Sequence, residues 1–408
     1  MVVDTTICGL KIGDRYPAQV MGILNLSPES FYKGSVVSPD QVLETALQMV
    51  EDGASFLDVG ARSTWMFSSP ITEEEEAKRL FPVLEALVGN VEAVISVDTM
   101  FSEVAEEALK RGADVINDVS GFTADPRLAD VVADYDCPAV IMASEKCPGD
   151  PLGMDAVMDS LEKILEKAEK AGIDSEKLIL DPAFGRWIEA KLPCYDFETL
   201  DDLERLQVFE KPILAALSRK SFIGDVLEKP ASERLYGSLA VAALAVYNGA
   251  HIIRTHDVAE TADVVKVAGA FRSRKAVAKE DCYEVSVLSI KTPKDAFREM
   301  QKLGTTEAGS RVMQNKSLQL TLKIKNLTTT EALILKQEML ARGGDAALER
   351  DAVSHETEKT DVLVFGTLLQ LEKLCTKLEG QARKLPRIAN LIRECLAERT
   401  NPEYRYSR

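Results

Sequence analysis

The chain has 408 residues, 46% hydrophobic and 28% charged, which is an ordinary balance for a globular protein, and its formal net charge is -17. The acidic excess opposes non-specific nucleic-acid binding, and no apolar run approaches the ~18 residues of a membrane span. Seven cysteines without a C-x-x-C pair argue against a disulfide framework and against a thiolate zinc site. Because the N-terminus lacks a secretory signal pattern, we expect a cytoplasmic protein that binds neither nucleic acid nor membrane.

The first two-thirds of the chain alternate short β-branched runs with longer segments of helical periodicity, a pattern typical of repeated βα units. A hairpin is predicted before the first unit, with its turn at residues 11–14. Ser38-Pro39 predicts a helix start, and Gly53, Gly112 and Gly172 stand where helices are expected to end. The eight predicted strands are residues 20–24, 56–60, 94–98, 115–119, 139–143, 178–182, 213–217 and 252–256.

Eight βα units in about 250 residues predict a TIM (β/α)8 barrel, because the barrel accounts for the count and the length together. The pattern changes near Ser273, where residues 273–282 form a charged connector. Residues 283–408 follow a β-α-β-α-β-β-α order, which predicts a smaller α+β domain of ferredoxin-like kind. We therefore expect a barrel at residues 1–272 and a second domain, whose role no motif predicts, at residues 283–408.

Polar residues stand at the carboxyl ends of the predicted strands, where the active sites of such barrels are built. Any one of them could be a helix cap or a loop-fixing residue, but seven strands in register favour a functional site. Carboxylate and amide groups suit a ring with several N–H donors: Asp98, Asn117 and Asp181. A second set suits a phosphate or a metal bound to one: Asn25, Thr64, Arg254 and His256.

Six blocks, "MGILNLSPESF", "SVDT", "INDVSG", "DPAFG", "SRKSFIG" and "RTHDV", resemble in order and spacing the dihydropteroate synthase family of pterin-binding TIM barrels, over roughly residues 1–272. The resemblance implies a transferase in which an arylamine displaces pyrophosphate from a 6-hydroxymethyl-dihydropterin diphosphate, with magnesium. It implies that the pterin is held by Asp98, Asn117, Met142, Asp181 and Lys220, of which Asp98, Asp181 and Lys220 are catalytic. It implies that the diphosphate is held by Asn25, which is also the magnesium ligand, and by Thr64, Arg254 and His256, and that Arg219 and Ser221 face the arylamine.

Two loops depart from the family pattern on the arylamine side. Lys33 and Arg62 stand where the family commonly has acids, and Trp65 stands where it has an arginine. Lys33 and Arg62 are therefore further candidates for arylamine binding. Two acceptors remain open: 4-aminobenzoate, if the loops merely vary, or its ribofuranosyl-phosphate derivative used in tetrahydromethanopterin synthesis, if the two cations bind an extra phosphate.

Other interpretations remain open at this point. Corrinoid-linked methyltransferase domains share the barrel and the Asp/Asn constellation and bind a methylated folate without releasing pyrophosphate. They are not expected to keep "SRKSFIG" or the pair Arg254 and His256, which favours the synthase. A catalytically idle barrel that serves as a partner scaffold is a further alternative. Barrels of the synthase family commonly pair through outer helices, so a homodimer is possible.

Overall fold

A computed structural model of the chain describes residues 3–27, 41–62, 71–272, 277–280, 283–354, 356–382 and 384–406. These residues divide into two compact units, Met1–Val287 and Leu288–Arg408. In the described part of the chain, no helix combines the length and the apolar character needed to span a membrane.

The first unit begins with the expected hairpin, formed by strands β1 (Asp4–Ile7) and β2 (Leu10–Gly13). Its turn lies at Cys8 and Gly9, with φ values of 47° and 85°, and the predicted turn at residues 11–14 was wrong. A two-residue hairpin turn takes left-handed φ at both central positions, and Gly9 adopts it without strain.

An eight-stranded parallel barrel follows, which confirms the predicted TIM barrel. Its strands run in the spatial order β8-β7-β6-β5-β4-β3-β10-β9, and a parallel bridge between Leu180 and Ile213 joins β8 to β9 and closes the ring. All eight predicted strands are present: β3 (Gln19–Asn25), β4 (Phe56–Gly60), β5 (Val94–Asp98), β6 (Val115–Asp118), β7 (Ala139–Met142), β8 (Leu178–Asp181), β9 (Leu214–Ala216) and β10 (Ile252–Thr255).

Helices surround the barrel and bury one apolar face each against the strands. Thr72 caps α2 by accepting a hydrogen bond from the Glu75 backbone, and Gly172 ends α5 in the left-handed conformation, as its position predicted. The predicted start at Ser38-Pro39 lies outside the described residues. The helices are α1 (Val42–Glu51), α2 (Glu73–Leu87), α3 (Ser102–Lys110), α4 (Arg127–Asp134), α5 (Gly153–Ala171), α6 (Pro193–Asp201), α7 (Ser221–Leu227), α8 (Leu235–Tyr247) and α9 (Val258–Phe271).

Residues 273–282 are not a simple connector. They contain strand β11 (Val277–Glu280), which pairs antiparallel with β12 (Tyr283–Ser286). The strand predicted from residue 283 therefore belongs to a hairpin and not to the sheet of the second unit, because pairing with the adjacent segment closes the shorter loop. The boundary between the compact units lies after Val287 and not after residue 282.

The second unit is an α+β arrangement around a three-stranded antiparallel sheet with the order β13-β15-β14. Buried side chains of its helices and sheet, such as Leu335, Val364 and Leu374, form a core of their own. Its elements are α10 (Pro293–Lys302), α11 (Glu307–Met313), β13 (Gln319–Thr328), α12 (Thr329–Leu340), β14 (Asp345–Leu348), α13 (Arg350–Val353), β15 (Lys359–Thr367), α14 (Leu368–Glu379), α15 (Leu385–Thr400) and α16 (Pro402–Arg405).

Candidate active site

The candidate site stands on an apolar layer that fills the lower barrel. This layer consists of Ile7, Ile12, Met21, Phe56, Val94, Val115, Val140, Ile179, Leu214, Ala216 and Ile252. Because successive side chains of a strand point to opposite faces, residues two positions further along also face the interior. These next positions include Asp58, Ser96, Asn117, Met142, Asp181 and Arg254. The strand period therefore turns the interior from apolar to polar toward the carboxyl ends of the strands.

Asp58, on β4, accepts hydrogen bonds from side chains of three other strands, β5, β6 and β10. Its fully buried carboxylate accepts hydrogen bonds from Ser96 Oγ at 2.6 Å, from Asn117 Nδ2 at 3.0 Å and from Arg254 Nε at 2.6 Å. Removing one partner from such a buried network leaves the others unpaired in a medium of low dielectric constant. Asp58 thus fixes the orientation of two predicted site residues, Asn117 and Arg254.

Arg254 also donates to Asp98, with 3.1 Å between a terminal guanidinium nitrogen and Asp98 Oδ2. Burial raises the pKa of the Asp98 carboxyl well above its ordinary value, and the nearby Asp58 carboxylate raises it further, while Arg254 opposes both effects. A ligand that supplies N–H donors stabilises the charged form of a carboxyl group in such a setting. The structure therefore brings Asp98, Asn117 and Arg254 together in one acidic pocket.

Asp181, at the end of β8, is buried on the same interior face and accepts a hydrogen bond from the Ala183 backbone at 2.7 Å. Burial raises the pKa of its carboxyl group, and Lys220 and Arg254 oppose that rise. Burial, with Arg254 nearby, lowers the pKa of Lys220 to about 8. The Lys220 amine lies 5.0 Å from the centre of the Trp187 ring, a cation–π contact that fixes it beside the pocket.

The loop after β8 is held by a buried lysine. Lys191 is 2% exposed and donates to the carbonyl of Ala183 at 2.5 Å, while Asp196 accepts a hydrogen bond from Gly185 N at 3.0 Å. Burial lowers the pKa of Lys191 and raises that of Asp196. This pair fixes the loop that connects Asp181 to the residues beside Lys220.

His256 lies beyond β10, and its Nδ1 lies 2.9 Å from Ser218 Oγ, which also accepts a hydrogen bond from His256 N. Ser218 thus ties both the imidazole ring and the backbone of His256 to the end of β9. Burial lowers the pKa of His256 to about 3, and the neighbouring Arg254 guanidinium contributes to the shift. His256 is accordingly a neutral hydrogen-bond donor near the site and not a cation.

Arg219, the predicted arylamine contact, has several partners within the barrel. Its side chain is 6% exposed, Nε and a terminal nitrogen contact Asp257 at 3.0 and 2.6 Å, and the other terminal nitrogen donates to carbonyls of Ala231 and Ser232. The residue has a left-handed φ of 59°, and Ser238 accepts the hydrogen bond from its backbone N–H. Arg219 thus shapes the turn that places Lys220, and its contact with an arylamine stays a prediction.

The sequence model of the family described as pterin binding enzyme matches residues 21–256. The chain belongs to this family. The dihydropteroate synthase of Bacillus subtilis (strain 168) is 38% identical over 261 residues, which are 63% of this chain and 90% of that protein. The synthase of Escherichia coli (strain K12) is 38% identical over 267 residues, covering 63% of this chain and 92% of its own length.

The chain is also similar to solved structures of dihydropteroate synthases. A Yersinia pestis dihydropteroate synthase in complex with a sulfonamide drug superposes with a TM-score of 0.61 and 35% identity, over 66% of this chain and 99% of its own. A Xanthomonas albilineans synthase with 4-aminobenzoic acid gives 0.59 and 35%, over 67% of this chain and 99% of its own. This member of the pterin-binding enzymes is therefore a transferase of the dihydropteroate synthase type.

Arg62 departs from the common pattern of this family, and the structure gives it a partner. Its Nε contacts the fully buried carboxylate of Glu76 at 2.9 Å, and its guanidinium lies 4.4 Å from the centre of the Phe101 ring. A further nitrogen donates to the Ile71 carbonyl at 2.5 Å. The charge that replaces the family's acid therefore has a carboxylate partner within the barrel, and the role of Arg62 in arylamine binding stays a prediction.

Asn25 closes β3 and was predicted to bind magnesium. Its side-chain oxygen accepts a hydrogen bond from Ser27 N at 3.0 Å, which fixes the amide at the strand end. Within the described residues, no group of three His, Cys, Asp or Glu could hold a metal ion. An amide oxygen nevertheless fits a magnesium ion that takes its other ligands from phosphate and water, as magnesium commonly does. Two further predicted residues, Thr64 and Lys33, lie outside the described residues.

Several supporting residues were missed by the sequence reasoning. Asp58 carried one signal, because a carboxylate between Leu57 and Val59 in the middle of an apolar strand is costly unless it is paired. Ser96 is likewise a polar residue between two apolar ones, Ile95 and Val97, in the middle of β5. Trp187 and Asp257 gave no comparable signal, since their partners Lys220 and Arg219 come from other strand ends.

Proposed function

We propose that the chain joins the methylene carbon of 6-hydroxymethyl-7,8-dihydropterin diphosphate to the amino nitrogen of 4-aminobenzoate and releases pyrophosphate, as a step of folate biosynthesis. The observation that carries the proposal is the acidic pocket in which Asp98, Asn117 and Asp181 face the barrel interior. The pterin ring offers amino and amide N–H groups, and these three side chains offer the complementary oxygens. Met142, which is 1% exposed, would pack against the ring.

In the reaction, the bond between the methylene carbon and the diphosphate oxygen breaks, a carbon–nitrogen bond forms, and the amine loses one proton. The methylene carbon becomes cationic and conjugated with the ring as pyrophosphate leaves. Carboxylates of Asp98 and Asp181 oppose that positive charge more strongly in the transition state than in the ground state. The arylamine then needs positioning more than chemical activation, so no covalent nucleophile is required.

The diphosphate end is assigned to Asn25, Arg254 and His256, with Thr64 as a further predicted contact. Arg254 already contacts Asp58 and Asp98, so we propose that it links the pterin pocket to the diphosphate. His256 would contact the diphosphate through Nε2, since Ser218 occupies Nδ1. A magnesium ion near Asn25 would neutralise charge on the departing pyrophosphate.

The acceptor is assigned to 4-aminobenzoate and not to its ribofuranosyl-phosphate derivative. The derivative was suggested by two cations, Lys33 and Arg62, and the pairing of Arg62 with the buried Glu76 removes one of them. Ser221 is half-buried at the first position of α7, and we propose it, as the sequence predicted, as a contact of the acceptor.

The test is an assay of pyrophosphate release from the pterin diphosphate, with magnesium and each acceptor offered separately and then together. We expect release that requires both magnesium and 4-aminobenzoate, with the phosphorylated derivative used less well. A barrel of the corrinoid-linked methyltransferase kind would bind the pterin without releasing pyrophosphate. Such a result, or a clear preference for the phosphorylated acceptor, would contradict the proposal.

We further propose that the chain forms a homodimer through α8 and α9, which pack side by side. Five large apolar side chains on these helices are exposed: Tyr236 at 82%, Leu244 at 51%, Tyr247 at 59%, Val267 at 62% and Phe271 at 72%. Large apolar side chains exposed on two adjacent helices support an interaction site there, since extended exposed apolar surface commonly marks one. A second copy of the chain would cover these side chains with the same surface of its own, related by a two-fold axis.

Light scattering after size-exclusion chromatography tests the dimer. Phe271→Asp is expected to give monomers, because it buries a charge in the proposed interface. Leu303→Asp, at an exposed apolar residue of the second unit, serves as the matched control and is expected to leave the mass unchanged. A dimeric Phe271→Asp variant would place the interface elsewhere.

A further inference from the structure

An acceptor that carries a carboxylate is favoured by a nearby cation, and two of the three cations that the sequence suggested for it, Arg62 and Arg219, have carboxylate partners within the barrel. Arg62 contacts Glu76 and Arg219 contacts Asp257, each through a short ion pair. Arg254 contacts the two interior carboxylates of the acidic pocket. Lys33 lies outside the described residues, so the described cations near the predicted acceptor residue Ser221 are the ones to compare.

Arg186 lies where such a cation is needed. It follows the loop that leaves β8 after Asp181, and its backbone N–H donates to Ser221 Oγ at 3.2 Å. The residue is exposed, and one terminal guanidinium nitrogen lies 3.5 Å from the carbonyl oxygen of Glu189, a weak contact to a neutral group. Among the described residues, no carboxylate pairs with this guanidinium. Arg186 thus presents its charge next to the predicted acceptor residue Ser221.

The backbone beneath Arg186 is held on both sides. Before it, Asp196 accepts the hydrogen bond from Gly185 N at 3.0 Å. After it, the Trp187 indole N–H donates to the Phe184 carbonyl at 3.1 Å, and the ring packs so closely on Gly149 that a Cβ there would lie 2.2 Å from it. The base of the Arg186 side chain is therefore fixed, while its charged end stays in solvent.

Trp187 also marks the boundary between the two halves of the site. The amine of Lys220, a residue predicted to bind the pterin, lies 5.0 Å from the centre of the Trp187 ring. The neighbouring Arg186 contacts Ser221, which belongs to the acceptor half. Adjacent residues of one loop thus contact Lys220, predicted for the pterin, and Ser221, predicted for the arylamine.

We propose that Arg186 determines acceptor specificity by binding the carboxylate of the arylamine. A guanidinium presents paired N–H donors whose spacing matches a carboxylate, so it favours a benzoate over a neutral ring of the same shape. The inference rests on the proposed function, because it assigns a contact of the second substrate. It concerns binding and selection of the acceptor and leaves the chemistry at the methylene carbon to the barrel interior.

The test compares 4-aminobenzoate with 4-aminobenzamide, which has the same ring and amine without the charge. Arg186→Ala is expected to raise the KM for 4-aminobenzoate about tenfold, with kcat changed less than twofold, because a solvent-exposed charge contact contributes about one factor of ten. The amide should be used equally by both proteins. Arg186→Lys is expected to restore part of the preference, and Arg127→Ala, at an exposed barrel arginine that pairs with Glu103 and Glu106, should behave as wild type.

An unchanged KM for 4-aminobenzoate in Arg186→Ala would overturn the inference. An equal loss for both arylamines would overturn it as well, since the residue would then act by positioning the loop. Calorimetric titration of both arylamines, with magnesium and pyrophosphate present, separates this outcome from failure of the proposed function. Binding of the benzoate that depends on Arg186, in a protein that releases no pyrophosphate, would retain the contact and reject the reaction. A wild-type protein that discriminates in neither assay would reject both.

Discussion

The barrel and the second unit place their carboxylates in opposite environments. In the barrel, burial raises the pKa of Asp98 and of Asp181, and each faces the interior where a ligand would bind. In the second unit, burial alone would raise the pKa of Glu331, but hydrogen bonds from Thr328 in a capping box lower it. Asp98 and Asp181 each have a donor within the barrel and can accept further hydrogen bonds from a ligand, whereas Glu331 is satisfied by its own helix.

The barrel thus keeps buried carboxylates that reduce its stability at the position where a ligand would bind. A carboxylate held in an apolar interior costs free energy until a ligand supplies N–H groups, so such groups accumulate at binding sites. The helices of the second unit follow local rules instead: α10, α12 and α14 each begin with a capping box. We therefore expect substitutions of paired or buried charges to have large effects in the barrel and small effects in the second unit.

The largest effect is expected for Asp58→Ala. Removing this carboxylate leaves the Arg254 guanidinium, Asn117 and Ser96 without their common partner, and breaking a buried ion pair costs about 3–5 kcal/mol. Urea unfolding followed by tryptophan fluorescence measures it, because both tryptophans, Trp65 and Trp187, precede the second unit.

The matched substitution in the second unit is Glu379→Ala, which removes the partner of the exposed Arg393. Unfolding followed by circular dichroism should show almost no change, since surface ion pairs contribute little. Equal losses for the two variants would contradict the comparison between the units.

Asp181→Ala comes next, and its effect is expected on pterin affinity. The variant leaves the ring donors unpaired in a desolvated pocket, at a cost of roughly 1–3 kcal/mol, which is about a fivefold to 150-fold loss of affinity. Calorimetry with the pterin diphosphate measures it, and Asp130→Ala, at an exposed position of α4, is the control. Near-normal affinity in Asp181→Ala would remove this residue from the pterin pocket.

Lys220 makes the site sensitive to alkaline pH. Its pKa is lowered from 10.5 to about 8, so kcat/KM for the pterin diphosphate is expected to fall as pH rises through 8 and the amine loses its charge. At a pH between about 8 and 10.5, Lys220 is protonated in the unfolded chain and largely neutral in the folded chain. The unfolded chain therefore binds more protons there, and the contribution of Lys220 to the free energy of unfolding rises with pH. Activity should therefore fall without unfolding.

The variant Lys220→Arg sharpens the pH prediction, since a guanidinium stays charged throughout this range. Its activity is expected to be lower than that of the wild type but nearly independent of pH from 7 to 9. Parallel alkaline limbs in the two proteins would assign the titration to another group. The unfolding free energy of each protein is measured at the same pH values.

The smallest effect is expected from removing the second unit. The barrel is complete by α9, and the boundary between units follows Val287, so a chain ending there should fold and keep its kcat within about twofold. Turnover and the thermal midpoint of the shortened protein test this. A folded but inactive barrel would show that the second unit contributes to the site.

The alternation of apolar and polar residues along single strands made most of the pocket predictable. Asp98, Asn117 and Asp181 could be placed from the strand period alone, because side chains two residues apart share a face. The cations were not predictable in the same way. Arg62, Arg219 and Arg254 all stand near strand ends, yet each charge is paired within the barrel.

By itself the sequence determined the eight strands, the order of the βα units and the family, since each depends on neighbours close in the chain or on blocks in fixed order. Tertiary structure decided which charges remain for substrates. Arg254 meets Asp58 across 196 residues and Arg219 meets Asp257 across 38, distances at which no local period carries information. Arg186 gave no signal in the sequence, and its exposed charge beside Ser221 emerges only when β8 and β9 close the barrel.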